Sequence, residues 1–153
     1  MSRIEEALQR LGIELPPAPA PVASYVPVRI AGTLAFVSGQ LPFEDGKVAL
    51  VGRVGDDVTV EAAAAGARRC ALQSLSALRD ALGSLDRITG IVQLSVFVAS
   101  APGFTQQPAV GNGASDVLVE LLGDAGRHAR VAVGVQELPL GAAVEVAVVA
   151  AID

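Results

Sequence analysis

Alternation of apolar and polar residues predicts a β-hairpin near the start of the chain. Residues 25–30 and 34–40 alternate on either side of a short turn, a pattern typical of two paired strands. Pro27 has no backbone donor, so the first strand should start at a sheet edge or carry a bulge there. A weak third strand is predicted at residues 48–51.

Helical spacing of apolar residues predicts a short and a long helix in the first half of the chain. The short helix covers residues 2–11. The long helix begins after Thr59, a good N-cap residue, and runs to about Leu82. Gly83 follows at the position where a helix commonly ends in the left-handed conformation.

The middle of the chain predicts a strand followed by a third helix. Residues 88–99 are apolar on both faces, which favours a central strand, with Val92 expected on the same face as the valines that follow it. A helix is predicted from about Pro108 to Leu122. Gly111 and Gly113 should weaken its first turns by about 1 kcal/mol each.

Two valine-rich runs, residues 129–136 and 143–152, predict the last two strands. If they pair as a hairpin around Pro139, then Arg130 and Glu145 lie on the same face. In that register they are about 13 Å apart along the strands. They would then flank the two ends of a small ligand.

Each of these two charges allows a functional and a structural interpretation. Arg130 has only Ala132 and Gly134 beside it on its face, which leaves room for a carboxylate to meet the guanidinium. It could equally form a structural salt bridge at a subunit contact. Glu145, among valines, needs water or a cation as a partner. With water it could act as a general acid or base, whereas with an arginine it would be structural.

Composition places the chain in a single domain, with residues 1–21 forming the first helix and a proline-rich arm and residues 22–153 the main domain. The 153 residues are 52% hydrophobic, which is enough for one core. A net charge of −5 without a basic cluster disfavours nucleic acid as a partner. The amphipathic start lacks a signal sequence, and the apolar runs are too short to span a membrane, so we expect a cytoplasmic protein. The apolar excess favours self-association.

Metal and nucleotide chemistry are disfavoured by what the sequence lacks. One His and one Cys cannot supply the ligands of a metal centre. His128, at the start of a strand, fits an exposed or hydrogen-bonded residue better than a catalytic base. Cys70 lies in a helical pattern and fits a core position. The glycines lack the spacing of a phosphate-binding loop, so no nucleotide cofactor is expected.

Five short motifs together resemble the RidA/YjgF family of reactive intermediate deaminases, also called L-PSP endoribonuclease-like proteins. Over residues 22–152 these are Ser24-Tyr25-Val26, Val37-Ser38-Gly39-Gln40, Val96-Phe97-Val98, Ala129-Arg130 and Val144-Glu145-Val146. The N-terminal helix and the stretch Asn112-Gly113-Ala114-Ser115-Asp116 are similar to those of a longer subgroup.

The resemblance implies an α+β, chorismate-mutase-like fold, one sheet with two main helices on one face, assembled as a homotrimer with clefts between subunits. It implies hydrolysis of small carboxylated enamines and imines to keto acids and ammonia, without a cofactor. Arg130 would bind the substrate carboxylate and Glu145 would position the attacking water. Tyr25, Ser38, Gly39 and Ala132 would line the site.

Departures from the deaminase pattern keep other functions open. Val131-Ala132 stands where deaminases commonly have a polar residue and a cysteine, and Ala147 where a second acidic residue often follows. The alternative is a trimer that binds or senses a keto acid without catalysis. An endoribonuclease or translation inhibitor, which the older family name suggests, is the third hypothesis.

Overall fold

A computed structural model describes residues 3–18, 20 and 23–153 of the chain. The helices are α1 (Arg3–Leu11), α2 (Val60–Leu82) and α3 (Gln107–Leu122), and the strands are β1 (Val28–Ala31), β2 (Leu34–Gln40), β3 (Phe43–Glu44), β4 (Lys47–Val48), β5 (Ile88–Ala99), β6 (Ala129–Val135) and β7 (Val144–Ile152). Short 3₁₀ turns lie at Leu85–Arg87, Gly123–Gly126 and Pro139–Gly141.

One sheet of five strands organises the fold, in the order β1-β2-β7-β5-β6. Only β5 and β6 run parallel, and every other neighbouring pair in this sheet is antiparallel. The buried residues of β5 and β7 form one core with α2 and α3. The predicted α+β class, with two main helices on one face of a sheet, is confirmed.

Helix α2 begins and ends where its sequence predicts. The Thr59 hydroxyl accepts a hydrogen bond from the Ala62 backbone N–H at 3.1 Å, a cap typically contributing about 1 kcal/mol. Gly83 has a φ of 80° and donates its N–H to the Arg79 carbonyl, which ends the helix in the left-handed conformation. The apolar side of α2 packs on the sheet.

The N-terminal segment is part of the core. Ile4 and Leu8 of α1 are buried, and Ile13 and Leu15 pack against the same cluster. Farther along, the Ser76 hydroxyl of α2 donates a hydrogen bond to the Pro16 carbonyl. These contacts place residues 13–16 against the rest of the domain, and residues 19 and 21 of the predicted arm lie outside the described residues.

The first hairpin is confirmed, but the third predicted strand is wrong. Strand β1 starts directly after Pro27 and occupies an edge of the sheet, as the missing proline donor requires. Residues 43–48 instead form the small hairpin of β3 and β4. Val51 makes only an isolated bridge, to Ala142.

The predicted hairpin of the last two strands is wrong. Strand β6 pairs in parallel with β5, and β7 lies on the other side of β5. Helix α3 supplies the long crossover that a parallel pair needs. The turn at Pro139–Gly141 leads β7 into the middle of the sheet, where Ala143 donates its N–H to the Leu50 carbonyl.

The same topology overturns the prediction that Arg130 and Glu145 share a face. Successive strand residues point to opposite faces, and Val144 and Val146 are buried under the helices. Glu145 therefore points to the other face, which we call the outer face. Arg130 points to the helix face, because its side chain contacts α3.

Strand β5 also departs from strict alternation. Its register against β7 shifts between Ile91 and Gln93, as at a β-bulge, where one extra residue changes which face the chain presents. Ile91 and Leu94 are buried but Val92 is exposed. The prediction that Val92 shares the face of Leu94 was therefore wrong.

None of the helices in the described ranges is long and apolar enough to cross a membrane.

Gly113 allows α3 to cross α2 at very short range, which generates a testable prediction. A Cβ added at this position would lie 1.9 Å from the Ala64 carbonyl oxygen of α2, so the helices would have to separate. We expect Gly113→Ala to lower the free energy of unfolding by about 3 kcal/mol, measured by urea denaturation. Asp116→Ala, at an exposed site of the same helix, is the matched control and should change stability little. Equal stability of Gly113→Ala and the parent would contradict this crossing.

Candidate functional site

Arg130 lies on the edge strand β6, and its guanidinium is held against the first half of α3. Nη1 donates to the Asn112 Oδ1 at 2.9 Å and to the Ser115 hydroxyl oxygen at 3.1 Å. Nη2 donates to the Pro108 carbonyl oxygen at 3.4 Å. Helix α3 therefore fixes the far end of a long side chain that would otherwise move freely.

The positive charge of Arg130 is not neutralised by the residues that the structure describes. All three of its acceptors are neutral oxygens. The ion pairs of the described residues are Arg53–Glu137, Arg87–Asp153 and Arg127–Asp124. A partly buried guanidinium without a carboxylate partner has its charge available for an anion, and its planar donors suit a carboxylate.

Small residues make this placement possible. A Cβ added at Gly111 would lie 3.1 Å from Nη1 of Arg130 and 3.5 Å from the Cβ of Ala132, so the glycine lets β6 approach the helix closely. The sequence suggested that Gly134 leaves open space beside Arg130, but that space is filled. The Gln107 amide and the Ser100 hydroxyl occupy that space, 2.8 Å and 3.0 Å from where its Cβ would be.

A hydrogen-bonded chain behind Arg130 was missed by sequence reasoning. The Ser115 hydroxyl lies 2.9 Å from Nε2 of His128, and Nδ1 of that ring lies 2.6 Å from the Gly126 carbonyl oxygen. The sequence indicated that His128 would be exposed or hydrogen-bonded, and the hydrogen bonds confirm the second. In the sequence, the stretch around Asn112 and Ser115 contributed only to the family resemblance. The periodicity of α3 did not predict that these polar residues contact Arg130.

Glu145 lies at the start of β7 on the outer face, paired with Phe97 of β5. Among the described residues it has no ion-pair partner, and partial burial raises the pKa of its carboxyl. A Cβ added at Gly39 would lie only 2.2 Å from its Oε1. Gly39 therefore provides the space that this carboxylate occupies.

Ser38 and Tyr25 lie near this same end of the sheet. The Ser38 hydroxyl donates to the Val26 carbonyl at 2.6 Å, and its N–H donates to the Pro27 carbonyl at 2.9 Å. These bonds fix the segment that leads into β1. Tyr25 lies in this segment, and its ring is exposed. Glu145, Gly39, Ser38 and Tyr25 thus belong to one region, at the junction of β1, β2 and β7.

Arg130 and Ala132 belong to a separate region of the chain. Arg130 pairs with Leu94, whereas Glu145 pairs with Phe97. The two charged residues are therefore about 10 Å apart along β5 and about 10 Å apart across the sheet, on opposite faces. Within a single chain their side chains do not form one site.

The outer face of the sheet carries apolar side chains that the described residues leave exposed. Phe36 of β2 and Val131 and Val133 of β6 are 44%, 46% and 43% exposed on that face. Exposed apolar side chains on one face of a sheet mark a candidate interaction surface. Glu145 lies among them.

Cys70 and Arg69 both have structural surroundings. Cys70 is fully buried, as expected for a core residue, and burial raises the pKa of its thiol. In the described ranges no three His, Cys, Asp or Glu side chains come together to hold a metal ion. Arg69 of α2 donates to the Phe43 carbonyl, so this arginine fixes the small hairpin.

Comparison with known proteins gives consistent matches along nearly the whole chain. A profile of the family described as "YjgF/chorismate_mutase-like, putative endoribonuclease" matches residues 5–152. Protein TCP17 of Trypanosoma cruzi is 51% identical over 145 residues, which cover 94% of this chain and 91% of that protein.

Two solved structures are also similar. A protein of unknown function from Agrobacterium tumefaciens is 46% identical, with a TM-score of 0.89, and the match covers 98% of this chain and 92% of that one. A "putative endoribonuclease" from Shewanella oneidensis is 34% identical, with a TM-score of 0.93, and the match covers 97% of this chain and 99% of that one. Since the profile and these relatives match nearly the full length, the chain belongs to the YjgF/chorismate mutase-like family.

Proposed function

We infer that the protein hydrolyses small carboxylated imines and enamines to keto acids and ammonia, in clefts between the subunits of a homotrimer. The observation that carries this proposal is the guanidinium of Arg130, which is fixed in place yet bonded only to neutral oxygens. Such a group is suited to bind the carboxylate of a small substrate. The family resemblance of Arg130 and Glu145 to deaminase residues supports the same assignment.

Glu145 would supply the proton transfers. As the water oxygen bonds to the carbon of the protonated imine, the Glu145 carboxylate takes a proton from the water and the nitrogen takes the carbon–nitrogen π electrons, giving a neutral carbinolamine. The Glu145 proton then passes to the amine nitrogen, the carbon–nitrogen bond breaks with loss of ammonia, and the carboxylate takes the hydroxyl proton as the keto group forms. A raised pKa helps this carboxyl both to accept and to return a proton near neutral pH. An enamine enters the sequence after tautomerising to the imine, and no cofactor is needed.

The separation of Arg130 and Glu145 supports a site built from two subunits. The uncovered apolar outer face, on which Glu145 lies, is suited to pack against another copy of the chain. An edge strand of one copy could then bring Arg130 toward the outer face of its neighbour. Tyr25, Ser38 and Gly39 would line the Glu145 side of the cleft, and Ala132 the Arg130 side.

A non-catalytic keto acid binder is the second candidate, and the surroundings of Arg130 favour it. Ala132 shares the face of Arg130, at the position where deaminases commonly carry a cysteine. Val131, the other departure, points to the outer face and is exposed. A binder needs the anion site but not the thiol. Turnover distinguishes the two candidates.

The endoribonuclease in the family's description is a weaker candidate. The net charge of −5 opposes binding to a phosphate backbone. Arg53, Arg87 and Arg127 are each paired with a carboxylate. A labelled RNA incubated with the protein at low salt should stay intact and unbound, and cleavage that depends on the protein would favour this third hypothesis.

The anchoring role of Arg130 predicts a large kinetic effect. Arg130→Ala should lower kcat/KM for freshly generated 2-aminoacrylate by roughly 100-fold, about 3 kcal/mol, because the substrate carboxylate loses its partner. Ammonia release in a coupled assay measures this. Arg127→Ala, which removes an exposed arginine near the same strand, is the control and should retain activity. Equal rates for Arg130→Ala and the parent over a panel of imines would refute the proposal.

The environment of Glu145 predicts a pH dependence of stability. Because the pKa is raised above its ordinary value of 4.5, the folded state holds this proton more tightly than the unfolded state. The stability that the protonated Glu145 carboxyl contributes is fully present below that ordinary value. It is lost as the pH rises through the raised pKa of the folded state. Glu145→Gln should therefore gain stability relative to the parent as the pH rises above about 4.5, measured by urea unfolding at fixed protein concentration. Glu120→Gln controls for the lost charge. A stability difference between Glu145→Gln and the parent that does not change with pH would contradict a raised pKa at Glu145.

The apolar outer face predicts the oligomeric state. The parent should sediment as a trimer, and Val133→Asp should dissociate it, because burying an unpaired carboxylate costs several kcal/mol. Leu140→Asp is the control, since Leu140 is 73% exposed on the turn before β7 and away from the sheet face. A monomeric parent, or a Val133→Asp protein that stays trimeric, would show that this face is not the interface.

A further inference from the structure

We propose that Asn112 and Ser115 are positioning residues that hold Arg130 by its Nη1 end, so that a ligand carboxylate binds along its Nε–Nη2 edge. This inference rests on the proposed function, because it specifies how the anion site of that function is built. Both residues come from α3, and the sequence assigned neither of them to the site.

The number of unused N–H donors on Arg130 indicates which edge of the guanidinium is available to a ligand carboxylate. A guanidinium has five N–H donors. Both donors of Nη1 are used by Asn112 and Ser115, and one donor of Nη2 reaches the Pro108 carbonyl. The donors left for a ligand are the Nε–H and the other Nη2–H. If the Pro108 carbonyl takes the Nη2–H on the Nη1 side, the free Nη2–H lies beside the Nε–H, and this parallel pair can bind both oxygens of one carboxylate.

His128 fixes the orientation of the Ser115 hydroxyl. The Gly126 carbonyl can only accept, so Nδ1 of His128, 2.6 Å away, carries a proton. In the neutral ring Nε2 is then an acceptor, and the Ser115 hydroxyl donates to it across 2.9 Å. With its hydrogen directed at His128, the hydroxyl presents its oxygen to Nη1 of Arg130.

The position of the helix backbone completes the arrangement. Gly111 leaves the space that the guanidinium occupies, since a Cβ there would lie 3.3 Å from the Cζ of Arg130. Helix α3 thus occupies the space next to Nη1 and Cζ. In the proposed arrangement the anion approaches the edge that carries the unused donors.

The first test is calorimetric titration of the full-length protein with 2-oxobutanoate and with its neutral amide. Ser115→Ala and Asn112→Ala should each weaken binding of the acid by about 10-fold and leave any binding of the amide unchanged. Ser115→Thr keeps the hydroxyl and should restore most of the affinity. Glu120→Ala, exposed on α3, is the matched control, and thermal unfolding checks that every variant is folded.

Affinity for the acid that is unchanged in both alanine variants would overturn the proposal. An equal loss for acid and amide would also overturn it, because a general disturbance of the helix affects both ligands alike. Asn112 is exposed, so Asn112→Ala tests the idea even if a substitution at Ser115 prevents folding.

A second measurement separates this inference from the proposed function. Heteronuclear NMR of the ligand-free protein reports whether rotation of the Arg130 guanidinium is hindered, with the signals assigned by their loss in Arg130→Lys. We expect separate Nη signals in the parent that merge when Ser115 and Asn112 are both replaced by Ala. If these signals behave so but no keto acid binds, the proposed function fails and the positioning role stands. If the parent guanidinium rotates freely, the positioning role fails whatever the ligand does.

Discussion

The parallel pairing of β6 with β5 is the constraint on which the candidate site depends. It places β6 at an edge of the sheet and directs Arg130 toward α3, the helix that makes the crossover between these two strands. Helix α3 then supplies neutral acceptors for one end of the guanidinium. The result is a positive charge that is held in position without being cancelled. This arrangement supports the proposed anion site, whatever reaction the site serves.

The opposite placement of Glu145 follows from the same sheet. Strand β7 enters between β2 and β5, so its alternation buries Val144 and Val146 and turns Glu145 outward. Gly39 gives the carboxylate its space, and partial burial raises its pKa. Two charged groups, neither neutralised within the described chain, thus lie on different faces. A second copy of the chain is the simplest way to unite them, and the uncovered apolar face gives that copy a surface to occupy.

Local signals in the sequence predicted much of this fold, whereas long-range pairing was predicted poorly. The ends of α2 could be predicted because the Thr59 cap and Gly83 act within one turn of the helix. The hairpin of β1 and β2 could be predicted because its turn is short. The short connection at Pro139 suggested a second hairpin, but the strand–helix–strand order of β5, α3 and β6 favoured parallel pairing instead. A crossover helix outweighs a short turn when the following strand can enter the middle of the sheet.

The sequence indicated the two charged residues of the candidate site but not the residues that support them. Arg130 and Glu145 stand out in sequence as isolated charges in valine-rich strands. Asn112, Ser115 and His128 do not stand out, because their role depends on how α3 lies against β6, which periodicity does not specify. Gly111 and Gly113 seemed only to weaken a helix, yet both mark close approaches that tertiary packing requires.

A crystal structure of the assembled protein with 2-oxobutanoate tests most directly whether Arg130 binds a small carboxylate beside the Glu145 carboxylate of another subunit. We expect the ligand carboxylate on the Nε–Nη2 edge of Arg130, with the ligand's carbonyl carbon facing Glu145 of a neighbouring copy. A ligand bound away from Arg130, or an assembly in which Arg130 and Glu145 of different copies lie far apart, would contradict it.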